Sequence, residues 1–237
     1  MKIITTTWSY DDVYPIQDTF LWKSFIENNS KDQFIHIHYN RSNYVDLEKD
    51  FEERFGFQYD YILYKVYLLR DQLSNLLDIN DLIFCDATDT VCMRCVNNIK
   101  PIQNIIFSTE INQYPSSLGG WGDSVQWSAD QLYNKEFLNS GLFQTNIVTF
   151  KKILDYVIDN ILPLNLKTFG GDQGVYTYHY LSQYNPMISL DISSELFLST
   201  YCRNIKDYTL NDLPLFIHDN GYNYGSPRFI ENFNLIN

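Results

Sequence analysis

Four consecutive apolar residues, Leu82-Ile83-Phe84-Cys85, sit between Asp81 and Asp86, and a further carboxylate, Asp89, follows three residues on. The run is too short for a helix and far too short for a bilayer, but it suits a strand covered on both faces. A strand of that kind asks for a layered α/β fold, with helices on both sides of a mixed, mostly parallel sheet. The rest of the chain agrees, because short apolar runs alternate with longer helical patterns. Strands are predicted at Lys2–Thr6, Gln33–Tyr39, Asn104–Ser108 and Leu215–His218. Helices are predicted at Asp18–Asn28, Tyr61–Leu77, Thr149–Ile161 and Asp172–Gln183, the third closed by Pro163. Pro115–Ala129, with its glycines, serines, Trp121 and Trp127, is predicted as a long loop. No repeat or linker divides the sequence, so one domain over residues 1–237 is expected.

Composition excludes several functions. The net charge is −12, from 17 Lys plus Arg against 29 Asp plus Glu, and no basic block appears. Nucleic acid is therefore not an expected partner. Four cysteines are too few for a disulfide scaffold in a chain of 237 residues. No stretch is long and apolar enough for a transmembrane helix, and the N-terminus enters a strand at once with no secretory signal pattern. A soluble intracellular protein is expected. The sequons at Asn28 and Asn40 are chance matches in an Asn-rich chain.

The acidic turn is the most informative segment. Ligands of open α/β sheets bind beyond the carboxyl ends of the strands. Two carboxylates placed there suit a hard divalent cation that also holds phosphate oxygens. The alternative is structural: Asp86 caps a turn and Asp89 starts the next helix. His36-Ile37-His38 puts two imidazoles on one strand face, read as a polar face because no carboxylate lies near in sequence. Cys92 and Cys95 have half the spacing of a zinc site and lack a second pair, which favours ordinary packing.

Further residues fall in an ordered series. Phe84-Cys85-Asp86-Ala87-Thr88-Asp89, Phe107-Ser108-Thr109-Glu110 with Tyr114-Pro115, and Phe137-Leu138-Asn139-Ser140-Gly141 come first. Gly171-Asp172-Gln173, Leu190-Asp191 with Phe197, and Ile217-His218-Asp219-Asn220-Gly221 follow, and Tyr64-Lys65-Val66 stands before them all. In that order they resemble the glycosyltransferase domain of the procollagen lysyl hydroxylase and collagen glycosyltransferase family, which has a GT-A type nucleotide-sugar fold. Asp219 stands where that family has a glycine, and Tyr114 where it has a tryptophan.

The resemblance implies a UDP-sugar donor, glucose or galactose, and a hydroxyl acceptor such as the glycosylated hydroxylysine of collagen-like chains. It implies an N-terminal nucleotide-binding part, a C-terminal acceptor-binding part and no separate hydroxylase domain. Asp86, Asp89 and His218 would hold the metal. The mixed oxygen and nitrogen set favours Mn²⁺, with Mg²⁺ as the alternative. Asp86, Lys65, Thr5, Thr7, Asn220 and Gly221 would contact the donor. Asp172 and Asn139 would act at the transfer centre, Asn139 from a turn and Gly141 by letting backbone approach the sugar. On the residues alone, Lys65 reads as a solvated lysine and Thr5 to Thr7 as ordinary strand formers. Two rival functions are a nucleotide-sugar-binding module without turnover and a UDP-sugar hydrolase. The oligomeric state is left open, a homodimer included.

Overall fold

The computed structural model describes residues 1–9, 14–40, 45–55, 61–76, 79–110, 137–164, 175–176, 179, 187–200, 208 and 212–219. Nine strands are present among them: β1 (Lys2–Ser9), β2 (Phe34–Asn40), β3 (Asp81–Cys85), β4 (Thr90–Cys92), β5 (Ile105–Glu110), β6 (Phe137–Asn146), β7 (Ile188–Leu190), β8 (Phe197–Ser199) and β9 (Phe216–His218). The α-helices are α1 (Phe20–Asn28), α2 (Val45–Phe55), α3 (Tyr61–Leu73) and α4 (Ile147–Tyr156). Six strands form the main sheet in the order β2-β1-β3-β6-β5-β7, and a small sheet runs β4-β9-β8. In the main sheet β1 is parallel to β2 and β3, β6 is antiparallel to both β3 and β5, and β7 is parallel to β5.

The central strands are covered on both faces, as the run at Leu82 requires. Neighbouring residues of one strand enter different cores because successive side chains alternate. Ile4, Phe84 and Phe143 join one apolar cluster, whereas Ile3, Ile83 and Leu142 join another. The first cluster turns on Phe143, whose ring lies 5.0 Å from Phe84, 4.9 Å from Phe107 and 5.0 Å from Phe150. Helix α1 covers the other side and reaches the small sheet, where the Cys92 amide donates to Ser24 Oγ at 2.9 Å. Thr19 caps α1 by accepting from the Trp22 amide, and Asn146 caps α4 by accepting from Val148 and Thr149.

Several elements differ from the sequence reading. Helix α2 was missed because seven of its eleven residues are charged; Phe51 and Phe55, one turn apart, are the anchors it buries. The Asn-Ser-Gly stretch is the interior of strand β6 and not a turn. Asp89 leads into strand β4 and not into a helix. Helix α4 begins at Ile147, two residues earlier than expected, and its last turn, Val157–Ile161, is π-helical before a 3₁₀ turn carrying Pro163. Pro163 lacks the amide an α-helix would need there, which fits the change of winding. Asn40 is buried at 1% exposure. Among the described residues no helix is long and apolar enough to cross a membrane.

Candidate metal centre

Strand β3 ends at Cys85, and pairing with β6 continues one residue further, since the Asp86 amide donates to the Gly141 carbonyl at 2.8 Å. The turn Asp86-Ala87-Thr88-Asp89 then feeds β4. Strand β4 pairs antiparallel with β9 so that Thr90 lies opposite His218, and the Asp219 amide donates to the Asp89 carbonyl at 2.8 Å. The junction of the two sheets thus brings one end of β3 and one end of β9 to the same point.

Asp86, Asp89 and His218 meet there, each offering a ligand atom within 4.8 Å of the others. His218 Nε2 lies 3.2 Å from Asp89 Oδ1 and 3.7 Å from Asp86 Oδ2. Two ligands about 2.1 Å from one ion are ~3.0 Å apart when adjacent and ~4.2 Å apart when opposite. The cluster matches that scale. It is the one group of three metal-ligating side chains among the described residues. Burial pushes the Asp89 carboxyl up, yet His218, by charge and by hydrogen bond, together with a backbone amide and Lys65, holds it below the ordinary carboxylate value. Asp89 is therefore held as a carboxylate beside the imidazole.

Gly141 makes room for the cluster. A Cβ there would lie 2.2 Å from His218 Cε1, 2.6 Å from Asp86 Oδ2 and 2.9 Å from His218 Nδ1. The missing side chain is the cradle into which two of the three ligands fit. This differs from the expected role of Gly141, which was close approach of backbone to a sugar.

Lys65 is 8% exposed, so the solvated reading fails. It projects from α3 with Nζ 3.5 Å from Asp86 Oδ1 and 5.2 Å from the centre of the Phe84 ring. A cation is thereby fixed beside the cluster, where the negative face of an aromatic ring helps hold it.

Asn139 is 2% exposed on β6, two residues before Gly141. Its Oδ1 accepts from the Gly141 amide at 2.9 Å and from Ser108 Oγ at 3.3 Å, and lies 3.2 Å from His218 Nδ1. Asp191 is buried too, but its carboxylate accepts from the amides of Glu195, Leu196 and Phe197, which ties the segment after β7 to β8. The conspicuous Leu190-Asp191 pair is therefore structural.

Thr5 and Thr7 sit at the β2 side of β1, buried at 0% and 5% exposure. Thr7 Oγ1 lies 2.6 Å from His36 Nε2 and 3.1 Å from His38 Nδ1, and Ser9 Oγ is 3.3 Å from His38 Nε2. The two imidazoles form a hydroxyl-bridged polar face, flanked by Tyr14 at 6.3 and 6.1 Å between ring centres. Burial, aided by the charge of His38, lowers the His36 pKa to about 4. Asp172, Asn220, Gly221, Trp121, Trp127 and the Pro115–Ala129 segment lie outside the described residues.

No family model matches the sequence, and no curated protein matches it. Solved structures do. Mouse xyloside xylosyltransferase 1 in its apo form aligns with a TM-score of 0.56 at 12% identity, over 95% of this chain and 99% of that one. A glycosyltransferase involved in glycosylating the major capsid of PBCV-1 gives 0.55 at 9% identity, over 98% and 99%. An active-site mutant of LgtC gives 0.54 at 12% identity, over 99% and 96%. At these identities the likeness establishes the fold: a mixed α/β sheet flanked by helices, of the GT-A glycosyltransferase type.

Proposed function

We propose that this chain is a metal-dependent glycosyltransferase that moves a hexose from a UDP-sugar to a hydroxyl acceptor. The observation that carries the reading is the Asp86–Asp89–His218 cluster seated over Gly141 at the end of β3, in a fold of the GT-A type. Support for the reaction class comes from the glycosyltransferases that share this fold and from the ordered motifs along the sequence.

The residues present fit a divalent ion, since two hard carboxylates and one imidazole converge at ligand spacing and Gly141 clears the space they need. When bound, a divalent cation neutralises the diphosphate that departs with the nucleotide. The nitrogen donor supports Mn²⁺ over Mg²⁺. Asp86 and Asp89 supply charge at this position, and Asp89 is held ionised by its surroundings. Lys65 places a second positive group against Asp86, where it meets phosphate oxygens on the donor. Thr5 and Thr7 line the path from β1 toward the base and ribose, with Asn220 and Gly221 contacting the donor from beyond β9. Asp172 acts at the anomeric centre, where positive charge develops in the transition state. We further propose that residues 1–237 form one domain. A collagen-like hydroxylysine acceptor and a glucose or galactose donor rest on the motif resemblance alone.

The test is a screen of sugar nucleotides with Mn²⁺, reading UDP release with and without hydroxyl acceptors. Asp86→Ala and Asp89→Ala each abolish release, as does excess EDTA. Asp172→Asn keeps UDP affinity within a few fold while turnover drops about a hundredfold. Full turnover in both aspartate variants sinks the metal reading. Release that is indifferent to every acceptor identifies a hydrolase instead.

A further inference from the structure

His218 can serve a cation through one nitrogen only if the other carries the proton, and a neutral imidazole has two tautomers. Which nitrogen is protonated follows from what each faces. Nε2 faces Asp89 Oδ1 at 3.2 Å and Asp86 Oδ2 at 3.7 Å. Nδ1 faces Asn139 Oδ1 at 3.2 Å. The identity of that Asn139 atom is fixed chemically. It lies 2.9 Å from the Gly141 amide, which can only donate, so the group it meets is the carbonyl oxygen and not the amide nitrogen. A carbonyl oxygen can only accept. His218 therefore donates from Nδ1, and Nε2 is the nitrogen turned toward the two carboxylates.

We propose that Asn139 is the positioning residue of this centre, selecting the Nδ1–H tautomer of His218 and fixing its ring plane so that Nε2 is the metal-binding nitrogen. The inference builds on the metal reading and deepens it. Asn139 acts through His218 and does not touch the ion. Its own oxygen is held by the Gly141 amide and by Ser108 Oγ, both on the main sheet, so the imidazole is referenced to the rigid sheet through a buried contact. His218 itself comes from the short strand β9 of the small sheet. Asn139 thus links the two sheets at the point where the cluster's side chains meet. Metal-bound histidines commonly donate their second ring nitrogen to such an acceptor, and loss of the acceptor costs about 10–100-fold in affinity.

The experiment uses full-length protein in two arms. In the first, nitrogen NMR of wild type saturated with Zn²⁺, a diamagnetic divalent ion, reads which His218 nitrogen keeps its proton. The expected result is a proton on Nδ1 and metal at Nε2; a proton on Nε2 overturns the proposal. In the second, Mn²⁺ is titrated calorimetrically into wild type, Asn139→Ala and Asn139→Asp, with melting temperatures as a check on folding. Asn139→Ala weakens Mn²⁺ binding about 10–100-fold. Asn139→Asp retains acceptor oxygens and stays within a few fold of wild type. Unchanged affinity in a folded Asn139→Ala overturns the proposal. Wild type that takes up neither Mn²⁺ nor Zn²⁺ refutes the metal reading and the proposal with it, whereas wild type that binds the ion with its proton on Nε2 refutes the proposal alone, so the two failures are distinct.

Discussion

Adding one methyl group at Gly141 is the sharpest perturbation the structure offers. Gly141 lies within a strand, so Gly141→Ala brings no backbone penalty of the left-handed kind, and the effect is one of space alone. The new carbon would sit 2.2 Å from His218 Cε1 and 2.6 Å from Asp86 Oδ2. Carbon atoms prefer about 3.5–4.0 Å, so more than an ångström must be found. Strand β6 cannot supply it, because the Gly141 carbonyl is bonded to the Asp86 amide at 2.8 Å and its own amide to Asn139 at 2.9 Å. The ring of His218 has to leave its place between Asn139 and the carboxylates. The fold bears an overpacking cost of about 1–3 kcal/mol, which lowers the melting temperature of a chain this size by roughly 2–12 °C. The proposed metal site bears far more, since a displaced ligand should cost at least the ~100-fold (about 2.7 kcal/mol) seen at the upper end for outer partners. Calorimetric titration of Mn²⁺ into the metal-free variant, alongside thermal melts without metal, reads the two effects separately. A folded Gly141→Ala protein with wild-type Mn²⁺ affinity would refute the reasoning.

Three further outcomes are expected. Lys65→Met removes a cation 3.5 Å from Asp86, so Mn²⁺ alone should bind as tightly as before or tighter, while UDP with Mn²⁺ present binds about tenfold more weakly; a parallel loss of both would show that Lys65 only supports the fold. Phe143→Ala, at the centre of four packed rings, costs about 3–5 kcal/mol in urea unfolding, and a loss below ~1 kcal/mol would contradict the packing described. Burial lowers the His179 pKa to about 4, so the unfolded chain takes up the proton first and stability, complete above pH ~6.5, declines as pH falls toward 4. The loss attributable to it is about 3 kcal/mol in a dry site and nearer 1–2 kcal/mol after solvent screening, and His179→Gln should flatten that part of the stability profile.

Much of the architecture was legible because burial on both faces leaves a mark in the sequence. The Leu82–Cys85 run located the central strand, and its acidic turn located two of the cluster's three side chains. What escaped notice did so for physical reasons. Helix α2 has a polar surface and only two buried aromatic anchors, so its periodicity is faint. The interior of β6 reads Asn-Ser-Gly, residues that favour turns, yet Asn139 and Ser140 are buried at 2% and 5% exposure. Local preference fails there because the stretch serves the site: Asn139 meets an imidazole, and Gly141 gives up its side chain to ligands from elsewhere. Lys65 looked solvated because a helix pattern shows spacing and not the carboxylate that awaits at 3.5 Å. The pairing of His218 with the acidic turn could not be read from spacing, since it depends on β4 meeting β9.

That same pairing governs when the centre comes into being. His218 and Asn139 are 79 residues apart in the chain, and both carboxylates precede them. Contacts between distant segments form late, because the entropy of closing a long loop must be met before any partner contact repays it. The β1–β3–β6 body with its aromatic core can consolidate while β9 is still undocked, and during that interval the two aspartates lack their imidazole. A chain emerging from the ribosome N-terminus first therefore completes its hydrophobic scaffold before the third side chain of the cluster arrives.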